Sequence, residues 1–172
     1  MNVKKHLELG CGYSKYRPDA LGVDRVKLAG VDIVWDLNEF PWKPLESDTF
    51  DEIYTCHCIE HLLPASRMKA MNEIYRVAKD GARIIIRVPH YLSPGSWGSV
   101  SHYHCYSEHA FDNYLESDDR SYYDDEVRFK DIKIDYTWTA VGKLAKAIFG
   151  EKVQRYLPNA CTEIRFEMTV VK

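Results

Sequence analysis

The chain has 172 residues, of which 45% are hydrophobic and 28% charged, and its net charge is −3. These values fit one globular domain and exclude a disordered chain, a membrane-spanning chain and a broad basic footprint for bulk nucleic acid. The five cysteines are odd in number and scattered, unlike a secreted disulfide framework. They are read as reduced thiols, and with Met1 to Lys5 leading into a strand rather than a signal peptide, a cytoplasmic location is expected.

Strand-like runs fall at His6–Leu9, Leu21–Asp24, Asp32–Asp36, Phe50–Cys56, Ala82–Val88, Lys130–Thr137 and Glu163–Val171. Between the fourth and fifth runs, Met68, Met71, Ile74, Tyr75 and Ala78 recur at helical spacing. Pro64 is expected in that helix's first turn and Asp80-Gly81 at its end. A second helix is expected from Ser107, which caps it ahead of Ala110, Phe111, Tyr114 and Leu115. A third covers Val141 to Tyr156, interrupted at Gly150 and ended before Pro158. The acid-rich stretch Glu116 to Glu126 reads as a solvated loop, with an acidic lid for a cationic acceptor as the alternative. The order predicts one α/β domain over residues 1–172. Its sheet is mostly parallel, with helices on both faces and an antiparallel last strand.

The strongest local signal is Glu8-Leu9-Gly10-Cys11-Gly12, a strand running into a Gly-x-Gly turn. Glycines there allow close approach of a ligand, and the amides beyond the strand are placed to meet a carboxylate or phosphate. Asp24 ends the second strand, where a carboxylate accepts from ribose hydroxyls, and Asp36 ends the third. Open α/β sheets bind ligands at such strand ends.

Glu8-Leu9-Gly10-Cys11-Gly12, Gly22-Val23-Asp24, Asp36-Leu37-Asn38, Phe50-Asp51-Glu52-Ile53, Glu60-His61-Leu62 and Glu73-x-x-Arg76-Val77 resemble the ordered motifs of class I S-adenosylmethionine-dependent methyltransferases. The resemblance is best to the small, type 11-like branch. It implies a Rossmann-like sheet of seven strands, S-adenosylmethionine as cofactor and S-adenosylhomocysteine as product. It places Gly10, Cys11 and Gly12 against the methionine portion, with Glu8 orienting the loop. Asp24 would hold the ribose, Asp36 and Leu37 would approach the adenine, and His57 would lie near the methyl group. The cofactor half would cover about residues 1–88 and the acceptor side the remainder, with the acceptor a small molecule or sugar-like group.

The eight residues between Gly12 and Leu21 are fewer than the dozen or so of a helical crossover. The first helix must therefore be cut to a turn or a loop. An NAD-dependent oxidoreductase would also use a glycine turn and an acid, but the third glycine is missing and Asp24 follows Gly10 by 14 residues instead of the usual ~20. A binding or partner subunit without turnover is the non-enzymatic alternative.

Histidines and cysteines crowd two segments, Cys56-His57-Cys58 with His61, and His102 with His104, Cys105 and His109. Neither has the spacing of a compact zinc motif, and they are read as thiols and active-site histidines rather than metal ligands. His57 and His102 are the candidate catalytic residues, since a hydroxyl acceptor needs a general base. Tyr91, Trp97, Tyr103 and Tyr106 are candidates for an acceptor cleft.

Overall fold

In a computed structural model of the chain, residues 5–115 and 127–172 are described; the Glu116–Glu126 stretch lies outside them. Seven strands form one sheet: β1 (His6–Leu9), β2 (Leu21–Asp24), β3 (Ile33–Val34), β4 (Phe50–Cys56), β5 (Ala78–Pro89), β6 (Phe129–Trp138) and β7 (Cys161–Val170). Their order is β3-β2-β1-β4-β5-β7-β6. The first five pair in parallel, and β7 is antiparallel to both of its neighbours. Strand order reverses about β1, which lies between β2 and β4. That reversal opens the crevice in which doubly wound sheets hold ligands.

Alternation along the strands separates the two faces of the sheet. Leu7, Ile53, Ile84 and Met168 fall in register across β1, β4, β5 and β7 and share one buried core with Ala70, Met71, Ile74 and Val77 of helix α1 (Arg67–Val77). Eleven residues are too few for a stable isolated helix, so this burial is what holds α1. On the other face the strands carry charge: Arg83 pairs with Glu52 and Glu167, Arg87 with Glu163, and Arg165 with Asp135. Residues 10–20 and 25–32, which connect β1 to β2 and β2 to β3, contain no helix, as the length of the first connection requires.

The helices depart from the sequence reading at their ends. Pro64 lies in the turn before α1, and Ser66 is the N-cap. The helix stops at Val77, four residues before Gly81, because the amides of Asp48 and Thr49 donate to the carbonyls of Arg76 and Val77. Ala78 is already extended, and Gly81 (φ 74°) falls at the register shift inside β5. The expected Ser107 helix is a run of turns ending in a 3-10 turn, Asp112–Tyr114. Ser107 Oγ does accept from the His109 amide at 3.3 Å. The following bonds, Ala110 to Ser107 and Tyr114 to Phe111, all span three residues, while Phe111 is drawn inward against Phe166 at 4.8 Å. A short helix, α2 (Pro94–Trp97), follows β5.

Helix α3 (Ala140–Phe149) starts and ends close to expectation, with Gly150 at φ 83° and a 3-10 turn, Glu151–Arg155, beyond it. Thr139 caps it by accepting from the Gly142 amide at 2.9 Å. The first turn is packed hard on the chain entering β7, since a Cβ at Gly142 would lie 1.8 Å from the Ala160 carbonyl oxygen. Alanine ordinarily favours a helix by about 1 kcal/mol over glycine; here the overlap with backbone dominates, and Gly142→Ala should cost about 1–3 kcal/mol. A denaturant midpoint that rises would contradict this packing.

Candidate functional site

The turn after β1 is held by side-chain carboxylates. Glu8 Oε2 accepts from the Tyr16 amide at 2.7 Å. Asp24 takes the Gly12 amide at 3.0 Å on one oxygen and the Val26 amide at 3.1 Å on the other. Asp32 accepts from the Gly22 amide and from Lys15, each at 2.8 Å. Glu8 is buried, and burial raises its pKa above the ordinary carboxylate value against the opposing bonds from the Tyr16 and Arg17 backbone.

Gly10 has φ 70°, a left-handed conformation that favours glycine. A Cβ there would fall 2.5 Å from the Cβ and Sγ of Cys58, so the turn abuts the chain leaving β4. The amides of Gly10 and Cys11 both donate to the Val23 carbonyl, at 2.8 and 3.2 Å. With Gly12 bonded to Asp24, all three turn amides are engaged within the protein. The turn therefore offers close backbone approach rather than the free donors that its sequence suggests.

A cavity of about 210 Å³ opens at these strand ends. Of the residues singled out in the sequence, Gly10, Asp24, Asp36, Leu37 and His57 line it. Glu8, Cys11 and Gly12 do not: Glu8 and Cys11 are buried, with Cys11 Sγ meeting the Gly30 carbonyl at 3.4 Å, and the Gly12 amide is held by Asp24. Arg25, Trp35, Asn38, Cys58, His61 and Ser101 also line the cavity. Each of the first three neighbours a residue already singled out, so adjacency to Asp24 and Asp36 was the available signal. Asn38 bonds both Asp36, at 2.9 Å, and the Leu63 amide, at 3.0 Å. It thereby joins the β3 end to the segment after β4.

His57 follows β4 with φ 50°, a conformation sparsely populated by residues other than glycine. Its Nδ1 lies 3.3 Å from Glu60 Oε1 and its Nε2 2.6 Å from Glu163 Oε1. The bond to Glu60 raises the His57 pKa, burial opposes it, and Glu163 adds to the rise. Burial alone would raise Glu163, but bonds from His57 and Arg87 outweigh it and keep that carboxyl below its ordinary value. His57 thus bridges two carboxylates with both ring nitrogens engaged.

His102 lies outside the lining of this cavity; its Nδ1 bonds the Ser96 carbonyl at 3.3 Å and its ring meets His61 edge-on at 4.6 Å. A second cavity, about 250 Å³, shares Leu62 with the first and is walled by Met71, Ile74, Tyr106, Phe111 and Tyr114. Of the four aromatic residues proposed for an acceptor cleft, Tyr106 lines it. Trp97 and Tyr103 are exposed, and the Tyr91 hydroxyl bonds the Arg155 carbonyl at 3.0 Å.

This arrangement of strands is the class I methyltransferase fold. Residues 34–86 match a family model described as a methyltransferase domain, a segment running from β3 into β5. An S-adenosylmethionine-dependent methyltransferase from Archaeoglobus fulgidus superposes with a TM-score of 0.68 at 16% identity, covering 98% of this chain and 86% of that one. A Thermotoga maritima structure, described as an S-adenosylmethionine-dependent methyltransferase and possible histamine N-methyltransferase, gives 0.63 at 14%, covering 98% and 82%. Phosphoethanolamine N-methyltransferase 2 of Haemonchus contortus, solved with phosphomonomethylethanolamine and S-adenosylhomocysteine, gives 0.58 at 17%, covering 99% of this chain but 49% of that one. No curated protein matches the sequence. No described helix is long and apolar enough to cross a membrane.

Burial pushes the thiols of Cys11 and Cys161 up to about 11, which leaves on the order of one part in a thousand as thiolate at pH 8. Both should resist a disulfide reagent at that pH in the folded protein and react on unfolding. Rapid modification of either in the native state would contradict their enclosure.

Proposed function

We propose that the protein is a methyltransferase that uses S-adenosylmethionine and modifies a small-molecule or sugar-like acceptor. The observation that carries this reading is the pair of carboxylates, Asp24 and Asp36, at the ends of adjacent strands on one wall of a cavity that also reaches the Gly10 turn. A carboxylate has about four lone-pair sites. Asp24 spends two on the Gly12 and Val26 amides, which leaves two for a pair of ribose hydroxyls. Trp35, Leu37 and Asp36 supply the apolar surface and acceptor oxygens that an adenine with an exocyclic amine requires.

When bound, the cofactor supplies an electrophilic methyl on a sulfonium, so positioning and exclusion of water are what the protein adds. Gly10 lets the backbone come close, Glu8 and Asp24 fix the loop that carries it, and Leu62 joins this space to the apolar cavity under α1. His57, fixed by Glu60 and Glu163 on its two nitrogens, is a positioning group at the end of β4. His61 and His102 each have Nδ1 committed to a backbone carbonyl, of Ser101 and Ser96 respectively, which leaves each Nε2 with a lone pair to offer.

Calorimetric titration with S-adenosylhomocysteine should give saturable binding, and no heat at millimolar ligand would reject the cofactor. Asp24→Asn keeps one acceptor oxygen for the loop but loses bonds to a charged acceptor worth about 1.5–3 kcal/mol, so affinity should fall roughly ten- to a hundredfold. Asp51→Ala is the control. Asp51 sits at the other end of β4 and pairs with Lys79 at 2.7 Å, so its loss should leave affinity unchanged and move stability by at most about 1 kcal/mol. Equal loss of binding in both variants would refute the role given to Asp24.

A further inference from the structure

The two histidine-rich segments, separate in sequence, meet in the structure. The Tyr103 amide bonds the Glu60 carbonyl at 2.9 Å, which lays the loop after α2 over the 3-10 turn Ile59–His61. Glu60, His61 and His102 then offer one ligand atom each, all within 4.8 Å of one another. Glu60 is 1% exposed. Its Oε1 faces His57, while its buried Oε2 has no hydrogen-bond partner among the described residues. A buried carboxylate oxygen left in that condition is destabilising unless a cation or donor meets it.

The imidazoles are set up as ligands. His61 Nδ1 lies 3.1 Å from the Ser101 carbonyl and His102 Nδ1 lies 3.3 Å from the Ser96 carbonyl. A carbonyl oxygen only accepts, so both Nδ1 atoms carry the proton and both Nε2 atoms hold free lone pairs. This backbone-anchored tautomer is the arrangement found behind metal-bound histidines.

We propose that Glu60, His61 and His102 form a binding site for a divalent transition-metal ion, zinc by the chemistry of its donors, beside the acceptor end of the cavity. Two imidazole nitrogens and one carboxylate oxygen suit zinc, cobalt or nickel rather than magnesium or calcium. Three protein ligands leave a fourth position open, as in catalytic rather than structural zinc sites. Ligand atoms about 2.1 Å from a tetrahedral ion stand about 3.4 Å apart. Binding therefore draws these groups together by at most about 1.4 Å from their 4.8 Å limit, a shift open to two partly exposed side chains on short connecting segments. His61 and Ser101 also line the cavity that holds Asp24, so the open position faces the space assigned to the reacting groups. Resting on the methyltransferase reading, that position would take an acceptor oxygen or nitrogen and polarise it as a Lewis acid.

The test uses the metal alone. Chelator-treated full-length protein, titrated with Zn²⁺ and separately with Co²⁺, should bind one equivalent. The cobalt form should show the visible bands of a tetrahedral site without the near-ultraviolet band of a thiolate ligand. Changes outside the ligand sphere already cost 10–100-fold in affinity, so His102→Ala and Glu60→Gln should each weaken zinc by about 100-fold or more, with melting temperatures recorded for both. Glu60→Gln keeps the side chain's shape and its bond to His57, which guards against reading misfolding as lost ligation. No zinc binding by the wild type at micromolar metal, unaltered binding in folded variants, or a thiolate band would each overturn the site. Titration of the same samples with S-adenosylhomocysteine separates the two ideas: zinc binding without S-adenosylhomocysteine binding removes the cofactor and leaves the metal site, and the reverse result removes the metal site alone.

Discussion

Carboxylates beside the first strands fix the loop that opens the ligand crevice. A β1-to-β2 connection of eleven residues, 10–20, has no room for a helix that would satisfy its own amides. Glu8 and Asp24 accept two of those amides, from Tyr16 and Gly12, while Asp32 accepts from the Gly22 amide and the Lys15 side chain. The remaining architecture depends on this. With the loop fixed, Gly10 packs against Cys58, β1 sits between β2 and β4, and the crevice at the reversal of strand order has a rigid floor. The Val23 carbonyl and Asp24 together consume the turn's donors, so ligand recognition passes to side chains on the neighbouring strands.

A second set of charges closes the site from the far side. Glu163 at the start of β7 accepts from Thr137 at 3.1 Å and meets both Arg87 and His57. One carboxylate thus connects β4, β5, β6 and β7. On the apolar side Glu73 and Arg76 of α1 do comparable work: Glu73 takes the Trp42 amide at 2.6 Å and Arg76 reaches the Leu45 carbonyl at 3.0 Å. These bonds fasten the segment that carries Leu37 and Asn38 to the helix. Burial pushes Glu73 upward, but Arg76 and the Trp42 amide outweigh it and hold the carboxyl below its ordinary value.

What the sequence made legible follows from range. Short hydrophobic runs identified β1, β2 and β4 to the residue, because central parallel strands are buried on both faces and carry near-continuous apolar stretches. The third strand shrank from five expected residues to Ile33–Val34, since its pairing with β2 covers only two positions. Helix ends were missed where a distant segment supplied the cap, as Asp48 and Thr49 do for α1. In the site, Asp24 and Asp36 were singled out from strand ends and Leu37 from the family resemblance, and all three line the cavity. The engagement of the turn amides was not legible, because it depends on how Val23 and Asp24 face Gly10 and Gly12 in space. His61 and His102 are 41 positions apart, and no spacing rule within either segment joins them.

The register of β1 carries a consequence for how the chain assembles. β4, α1 and β5 are consecutive, occupy residues 50–89, and close on one another through contacts of moderate sequence separation. β1 has few partners nearby: one neighbour is the short β2, and the other, β4, begins more than forty residues later. Long-range parallel pairings form late because their loop-closure cost precedes their reward. Leu7 and Ile53 pair across 46 positions, Ile53 and Ile84 across 31, so seating the strand that bears the ligand turn against β4 carries the larger loop-closure cost of the two pairings.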